Sequence, residues 1–354
     1  MIKTPLLRID PQHIDEKKIK KVAEILTKGG LVIIPTDTVY GIVANSKDES
    51  VIKKLYEIKK RPLDKPFTII IERKERIDEF SKIVPKTAYK LIDKFWPGAL
   101  TVIIPKEDGT SVGLRMPNHP FILRLLGELD FPLVCPSANL SEKKPPSNLE
   151  EALKDLDGLV DLAVDGGFTS LGVESTIVDL SKETISILRE GAISKKEIQE
   201  EINKKIVLFV CTGNSCRSVM AEGLLKKKLF KLGRTDIEVI SAGIAMVDGL
   251  KPTPETLELL NREGIDFSGY VSKRVSPLMI KKSDLIFVME SLHEKRLKEL
   301  VPDIKNNLFL LKEFAKIEET GSLDIADPIG KPFLEYEKTF YLIKEAIERI
   351  VNIL

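Results

Sequence analysis

The sequence predicts an α/β protein built as two consecutive domains, and three observations carry that expectation. The chain has 354 residues, more than one hydrophobic core usually organises, and its 43% hydrophobic content is enough for two. Short apolar runs of strand length alternate along it with segments of helical periodicity. Near residue 190 the character changes: REGAISKKEIQEEINKK is charged and helix-forming, without a Gly/Ser-rich spacer, and IVLFV opens a new alternation directly behind it. The boundary therefore falls near 203, giving domains 1–203 and 204–354.

In the first half, IDEKKIKKVAEILTKGG places Ile19, Val22, Ile25 and Leu26 on one helical face, and Gly29 and Gly30 supply the stop. LVIIP reads as a buried strand ended by Pro35. FTIII, LTVIIP, FPLVCP and TIVDL continue in the same manner around the helix-like PKTAYKLIDKF, which indicates an extended, twisted mixed sheet with helices. The second half runs strand (IVLFV), loop, helix (MAEGLLKKKLFKLG), strand (EVISAG), helix (PETLELLNREG), strand (LIFVM), helix, and a long C-terminal helix from about Tyr336. Strands and helices at that spacing read as βαβ units around a parallel sheet.

Lys+Arg 55 against Asp+Glu 54 removes the global basic field of a protein that coats nucleic acid, so no direct stable nucleic-acid binding is expected. MIKTPLLRIDPQ has no apolar signal region, and no apolar run approaches the roughly 20 residues that span a bilayer. A soluble, cytoplasmic protein without membrane partners is the expectation. Cys135, Cys211 and Cys216 are too few for a disulfide scaffold. His13, His119 and His293 lie far from them in sequence, so no metal site is expected.

FVCTGNSCRS, from Phe209 to Ser218, is the most informative stretch. Cys211 ends an apolar strand, in the crevice position where α/β sheets bind ligands, and the small polar residues after it lead into a helix. Such a loop aims successive backbone N–H groups and the positive helix end at one point. Arg217 adds a planar fork for phosphate oxygens, Cys211 is placed to act as a thiolate nucleophile, and Ser218 can donate to it. A leaving group needs a proton, for which Asp327 in SLDIADPIGKP is the candidate, with Asp324 as competitor and an ordinary Asp-Pro turn as the plainer reading.

VCTGNSCRS, MAE, SAG at Ser241 to Gly243, GIDFSG at Gly264 to Gly269 and ADP at Ala326 to Pro328 together resemble the low-molecular-weight protein phosphatases, in that order. The resemblance implies a Rossmann-like parallel four-stranded sheet flanked by helices, a phosphoprotein substrate and no cofactor. It makes Cys211 the nucleophile, Arg217 the clamp and Asp327 the general acid, within a phosphate loop completed by Thr212, Gly213, Asn214, Ser215, Cys216 and Ser218. Cys216 matches the second cysteine that forms a protective disulfide in the family. Val219 departs from the usual proline, which touches the first helical turn and not the chemistry. Arginine phosphatases of the family carry Thr at the place of Ser215 and a short DPFG-like loop, whereas tyrosine phosphatases have a bulky aliphatic residue there and tyrosines after D-P. Ser215 and DPIG lean toward phosphoarginine, with phosphotyrosine as the alternative. A related arsenate reductase needs a further downstream cysteine, and none follows Cys216.

The first half has neither a Walker loop nor G-x-G-x-x-G, but polar clusters stand at its strand ends: PTDTVYG, KKRPLDKP, SVGLRMPNHP, PSANLSEKKPPS, ESTIVD and ILREGAI. Each alone is a polar turn. In this order they resemble the threonylcarbamoyl-AMP synthase family of the YrdC/Sua5 type, across residues 10 to 200. The resemblance implies that L-threonine, bicarbonate and ATP, with Mg²⁺ on the nucleotide, give threonylcarbamoyl-adenylate and pyrophosphate for the t6A modification of tRNA, with a tRNA-modifying transferase complex as partner. Threonine would take Thr38, Arg115, Ser137 and Ser175, and ATP would take Lys59, Arg61, Lys65, Ser111, Asn139, Ser147 and Arg189. Ile70 stands where the family often has a histidine, and no additional Sua5-type C-terminal domain follows. The opposing reading is an RNA-binding module using the basic KKRP region.

Overall fold

The computed structural model describes residues 3–245, 248–304, 306–317 and 321–354. The chain divides into two compact units, Met1–Ile202 and Asn203–Leu354. No helix among the described residues is long and apolar enough to cross a membrane.

The first unit is organised by a mixed sheet of ten strands among the described residues. Its order is Leu6–Arg8, Leu162–Asp165, Val32–Ile34, Gly41–Asn45, Leu133–Val134, Ile69–Ile70, Ser111–Arg115, Leu100–Pro105, Thr176–Asp179 and Ser186–Arg189. Val32–Ile34 pairs antiparallel with Gly41–Asn45 and parallel with Leu162–Asp165, so hairpins and crossovers are interleaved. The continuous apolar run LVII follows from burial on both faces: Val32 and Ile34 pack in one hydrophobic cluster, Leu31 and Ile33 in another. FTIII contributes only Ile69–Ile70 to the sheet, less than its apolar length suggests.

The helix expected from IDEKK is Glu16–Thr27, opened by Asp15, whose side chain accepts from Lys17 N, and it buries Ile19, Val22 and Leu26. Helix Glu49–Lys59 matters more for the site. Asp48 caps it by accepting from Ser50 N and Val51 N, and it ends where Lys60 takes a left-handed φ of 50°. Lys59, the last helical residue, is buried, and the left-handed turn at Lys60 leads into the rest of the KKRP segment.

The second unit holds a four-stranded, all-parallel sheet in the order Ile237–Gly243, Lys205–Cys211, Leu285–Val288 and Leu308–Leu310. Alternate residues of the central strand feed two cores. Val207 and Phe209 pack with helices Arg217–Lys231 and Phe333–Ile350, while Leu208 and Val210 pack with helix Ser291–Leu300. The loop helix starts at Arg217, not at Met220 where its apolar pattern begins, so the cysteine loop runs without a spacer into a helix N-terminus. The C-terminal helix starts at Phe333 rather than Tyr336, because Pro332 fixes an extended N-cap one position ahead of it.

Candidate active sites

In the first unit, Thr38, Lys59, Arg61, Lys65, Arg115, Ser137, Asn139, Ser175 and Arg189 line one cavity of about 430 Å³. Arg115 and Arg189 end strands, Ser137 follows one and Ser175 precedes one, while Thr38 lies in the connection between Val32–Ile34 and Gly41–Asn45. Ser111 and Ser147 are not in the lining. Ser111 is exposed at the outer end of its strand opposite Pro105. Ser147 bonds Glu151 Oε2 through its backbone N at 2.8 Å and its Oγ at 3.2 Å, holding the start of helix Leu149–Leu156.

Arg115 is buried and bound on three sides: Nε donates to Gly98 O at 3.0 Å, Nη1 to Thr38 Oγ1 at 2.8 Å and Nη2 to Asp37 Oδ1 at 2.5 Å. Burial pulls its guanidinium below the ordinary arginine range, and Asp37 works against that. Three of its five N–H groups are thus used, and the others remain for an anion. Asp37 is only 4% exposed, and its Oδ2 is buried without a partner. Sequence reasoning missed Asp37, although it lies inside PTDTVYG.

Lys59 Nζ donates to Ser137 O at 2.5 Å and Asn139 O at 2.6 Å, and burial lowers its pKa to about 8. The lysine therefore also acts as a strut under the loop that carries Ser137 and Asn139. Arg189 donates from Nε to Ser175 O at 3.0 Å and from Nη2 to Ser175 Oγ at 3.2 Å, and pairs with Glu174. Ser175 Oγ in turn meets Thr101 Oγ1 at 2.9 Å. Arg61 is oriented by Lys65 O at 2.8 Å and by the Phe67 ring, 5.3 Å from its guanidinium carbon. The result is a cavity with six cationic side chains, Lys59, Arg61, Lys65, Arg115, Lys143 and Arg189, and several hydroxyls around its wall, suited to a polyphosphate and a carboxylate.

In the second unit, Cys211 is the last residue of the central strand and 2% exposed. Its Sγ lies 3.0 Å from Ser218 Oγ and receives Asn214 N–H at 3.3 Å. Asn214 adopts φ of 52°, and its side chain makes four hydrogen bonds. Nδ2 donates to Ser218 Oγ at 2.9 Å and Ser241 Oγ at 2.8 Å, while Oδ1 accepts from Tyr270 OH and Lys273 N, both at 2.8 Å. Every polar position of the amide is satisfied, which fixes the loop. Gly243 is required beneath it, since a Cβ there would fall 2.7 Å from Thr212 O.

Arg217 is 1% exposed and sits between two carboxylates. Nη1 reaches Ile325 O at 2.8 Å and Glu290 Oε2 at 3.1 Å; Nη2 reaches Thr212 Oγ1 at 3.2 Å and Asp327 Oδ2 at 2.5 Å. Its Nε is buried without a partner, a donor left for a ligand. Asp324 is committed elsewhere, accepting Ser291 N and Oγ, both at 2.8 Å. Ser215 is 7% exposed, with Oγ 3.7 Å from Cys216 Sγ, and its carbonyl accepts Thr253 N at 3.1 Å. Cys211 and Cys216 are both free thiols; burial pushes the Cys216 thiol up, against the pull of Thr253 Oγ1 at 3.6 Å. Glu222, Ser241, Tyr270, Glu290 and His293 belong to this site and were not singled out from sequence, though MAE and SAG contain the first two. No group of three or more His, Cys, Asp or Glu among the described residues could hold a metal ion.

Comparison with known proteins follows the same division. Residues 24–191 match the Sua5/YciO/YrdC family model, described as "Telomere recombination", and residues 206–354 match the model for low molecular weight phosphotyrosine protein phosphatases. A Pyrococcus abyssi protein named threonylcarbamoyl-AMP synthase is 35% identical over 222 residues, 60% of this chain and 65% of its own length. The chain thus spans just under two thirds of that relative. A Methanocaldococcus jannaschii protein named putative threonylcarbamoyl-AMP synthase is 36% identical over 203 residues, 54% of this chain and 95% of its own. The solved structure of a doubly substituted P. abyssi Sua5 aligns with a TM-score of 0.52 at 27% identity, covering 73% of this chain and 89% of that one. The chain belongs to the Sua5/YciO/YrdC family through its first half and carries a low molecular weight phosphatase domain in its second.

Proposed function

We propose that the chain is a bifunctional enzyme: a threonylcarbamoyl-AMP synthase over residues 1–203 and a cysteine-dependent protein phosphatase over residues 204–354. The first reading is supported by the convergence of Arg61, Lys65, Arg115 and Arg189 on one cavity, and by the names of the relatives that share this half. Arg115, with Thr38 and Asp37 fixing it, receives the carboxylate of L-threonine, and Ser137 and Ser175 face its small polar groups. Arg61, Lys65 and Arg189 neutralise the triphosphate, which enters with its Mg²⁺. Threonine's amine and bicarbonate condense to a carbamate with loss of water. A carbamate oxygen then attacks the α-phosphorus, and pyrophosphate leaves. The protein's part is positioning and charge neutralisation. The adenylate passes to a tRNA-modifying transferase for t6A synthesis.

Pyrophosphate release from the purified chain is expected only when threonine, ATP and bicarbonate are present together. Release that ignores threonine would overturn this reading in favour of RNA binding.

In the second half, Cys211 Sγ attacks phosphorus while Arg217 and the loop N–H groups hold the phosphoryl oxygens, and Asp327 protonates the departing group. Water, deprotonated by Asp327, then cleaves the S–P bond, returning the thiolate and releasing phosphate. The geometry that supports this is the contact of Cys211 with Ser218 and of Arg217 with Asp327. Phosphoarginine is the favoured substrate, because the residue at the specificity position is the small, buried Ser215 and the acid loop reads DPIG without an aromatic residue. A higher kcat/KM on phosphoarginine than on phosphotyrosine peptides is expected; the reverse ranking would assign the alternative specificity.

A further inference from the structure

The second unit contains a histidine that the reaction outlined above leaves unused. His293 is fully buried in the first turn of helix Ser291–Leu300. Its two ring nitrogens have different partners. Glu290 N–H donates to Nδ1 at 3.1 Å, and Nε2 lies 3.0 Å from Thr212 Oγ1. A backbone N–H can only donate, so Nδ1 carries the lone pair and the proton of the neutral ring sits on Nε2. Burial, with Arg217 next in weight, lowers the pKa of the imidazole to about 4, so the ring stays neutral at working pH. Glu290 Oε2 is 3.5 Å from Nε2, long for a hydrogen bond, and is occupied by Arg217 Nη1 at 3.1 Å. Nε2–H is therefore directed at Thr212.

Thr212 Oγ1 also receives Arg217 Nη2 at 3.2 Å. A hydroxyl offers two acceptor directions and one donor. With both acceptor directions filled, its own O–H is left to donate, next to the Arg217 guanidinium whose unpartnered Nε is the donor left for a ligand. We infer that His293 is a positioning residue of the phosphatase half, which through Thr212 Oγ1 fixes the Arg217 fork and turns the Thr212 O–H into a further donor to the bound phosphoryl group. A donor aimed in advance at oxygens whose charge grows during transfer favours the transition state over the empty site. The inference rests on the phosphatase reading.

The test uses the full chain and 4-nitrophenyl phosphate. Wild-type turnover that Cys211→Ser abolishes establishes the phosphatase reading itself; without it, that reading fails before the histidine is at issue. Given turnover, His293→Leu is expected to lower kcat/KM about 10- to 100-fold, a size typical of misplaced catalytic groups. His293→Gln, whose amide N–H can still reach Thr212, should recover most of the loss. Thr212→Val should cost about as much as His293→Leu, and the double variant no more than the worse single one. Wild-type activity in His293→Leu, equal losses in the Leu and Gln variants, or multiplicative losses in the double variant would each overturn the inference. If the Leu variant does not fold, Thr212→Val combined with His293→Gln decides: once the hydroxyl is gone, the glutamine change should have no further effect.

Discussion

Cys211→Ser is expected to reduce phosphomonoester hydrolysis by about 10⁴-fold or more, the scale seen when a covalent nucleophile is removed, while threonine-dependent pyrophosphate release stays at the wild-type rate. The serine hydroxyl is a poor nucleophile without a base, and neighbouring Ser218 and Asn214 supply hydrogen bonds but no proton acceptor of histidine type. Arg61→Ala is the reciprocal variant. It removes a cation from the first unit's cavity and should abolish pyrophosphate release without changing phosphatase turnover. Assaying both reactions on both variants separates the sites. Loss of both reactions from either change would refute independent catalysis by the two units.

Arg115→Met should be the most damaging substitution in the first unit, destabilising it by about 3–5 kcal/mol as well as ending threonine use. The cause is Asp37, 4% exposed, whose Oδ1 loses its partner while its Oδ2 already lacks one. A buried carboxylate without a cation is among the costlier states a core can hold. Adding Asp37→Asn removes that charge and should restore most of the stability but none of the activity. The chain's single tryptophan, Trp96, is 3% exposed and donates Nε1–H to Leu100 O at 2.7 Å, so its fluorescence during urea unfolding reports on this unit alone. A wild-type midpoint in the single variant would contradict the buried pair. Recovered pyrophosphate release in the double variant would deny Arg115 its role toward threonine.

The sequence made some of this legible and concealed the rest for identifiable reasons. Strand Lys205–Cys211 and the loop behind it could be read because an apolar run of strand length is followed by small polar residues and a helix, a local pattern. The ten-strand order could not. Ile69–Ile70 and Leu133–Val134 are too short for any periodicity, and they owe their places to pairing with each other and with Leu114–Arg115 and Ala44–Asn45. The clusters around the first cavity were recognisable as strand-end loops, yet Asp37 went unnoticed because its partner Arg115 lies 78 residues away. His293 is remote from the cysteine loop in sequence, 81 residues from Thr212, so spacing alone does not point to it. Strands Lys205–Cys211 and Leu285–Val288 are parallel neighbours, so their carboxyl ends, and the loops that leave them, meet. Ser111 and Ser147 show the opposite case, residues of suitable type in suitable motifs that a strand end and a helix start hold outside the cavity lining.

The cradle around Cys211 takes its shape during folding. Asn214 is held in its left-handed conformation by its four side-chain hydrogen bonds, and the loop rests on Gly243 with no space for even a methyl group. Little torsional freedom remains for an anion to remove, which strengthens binding of whatever fits. On the proposed phosphatase reading, inorganic phosphate would fit as well as a phosphorylated side chain, because the loop would contact only the group they share. On that reading the same rigidity that favours the substrate retains the product, and the expected result is turnover that falls as the phosphate concentration of its surroundings rises.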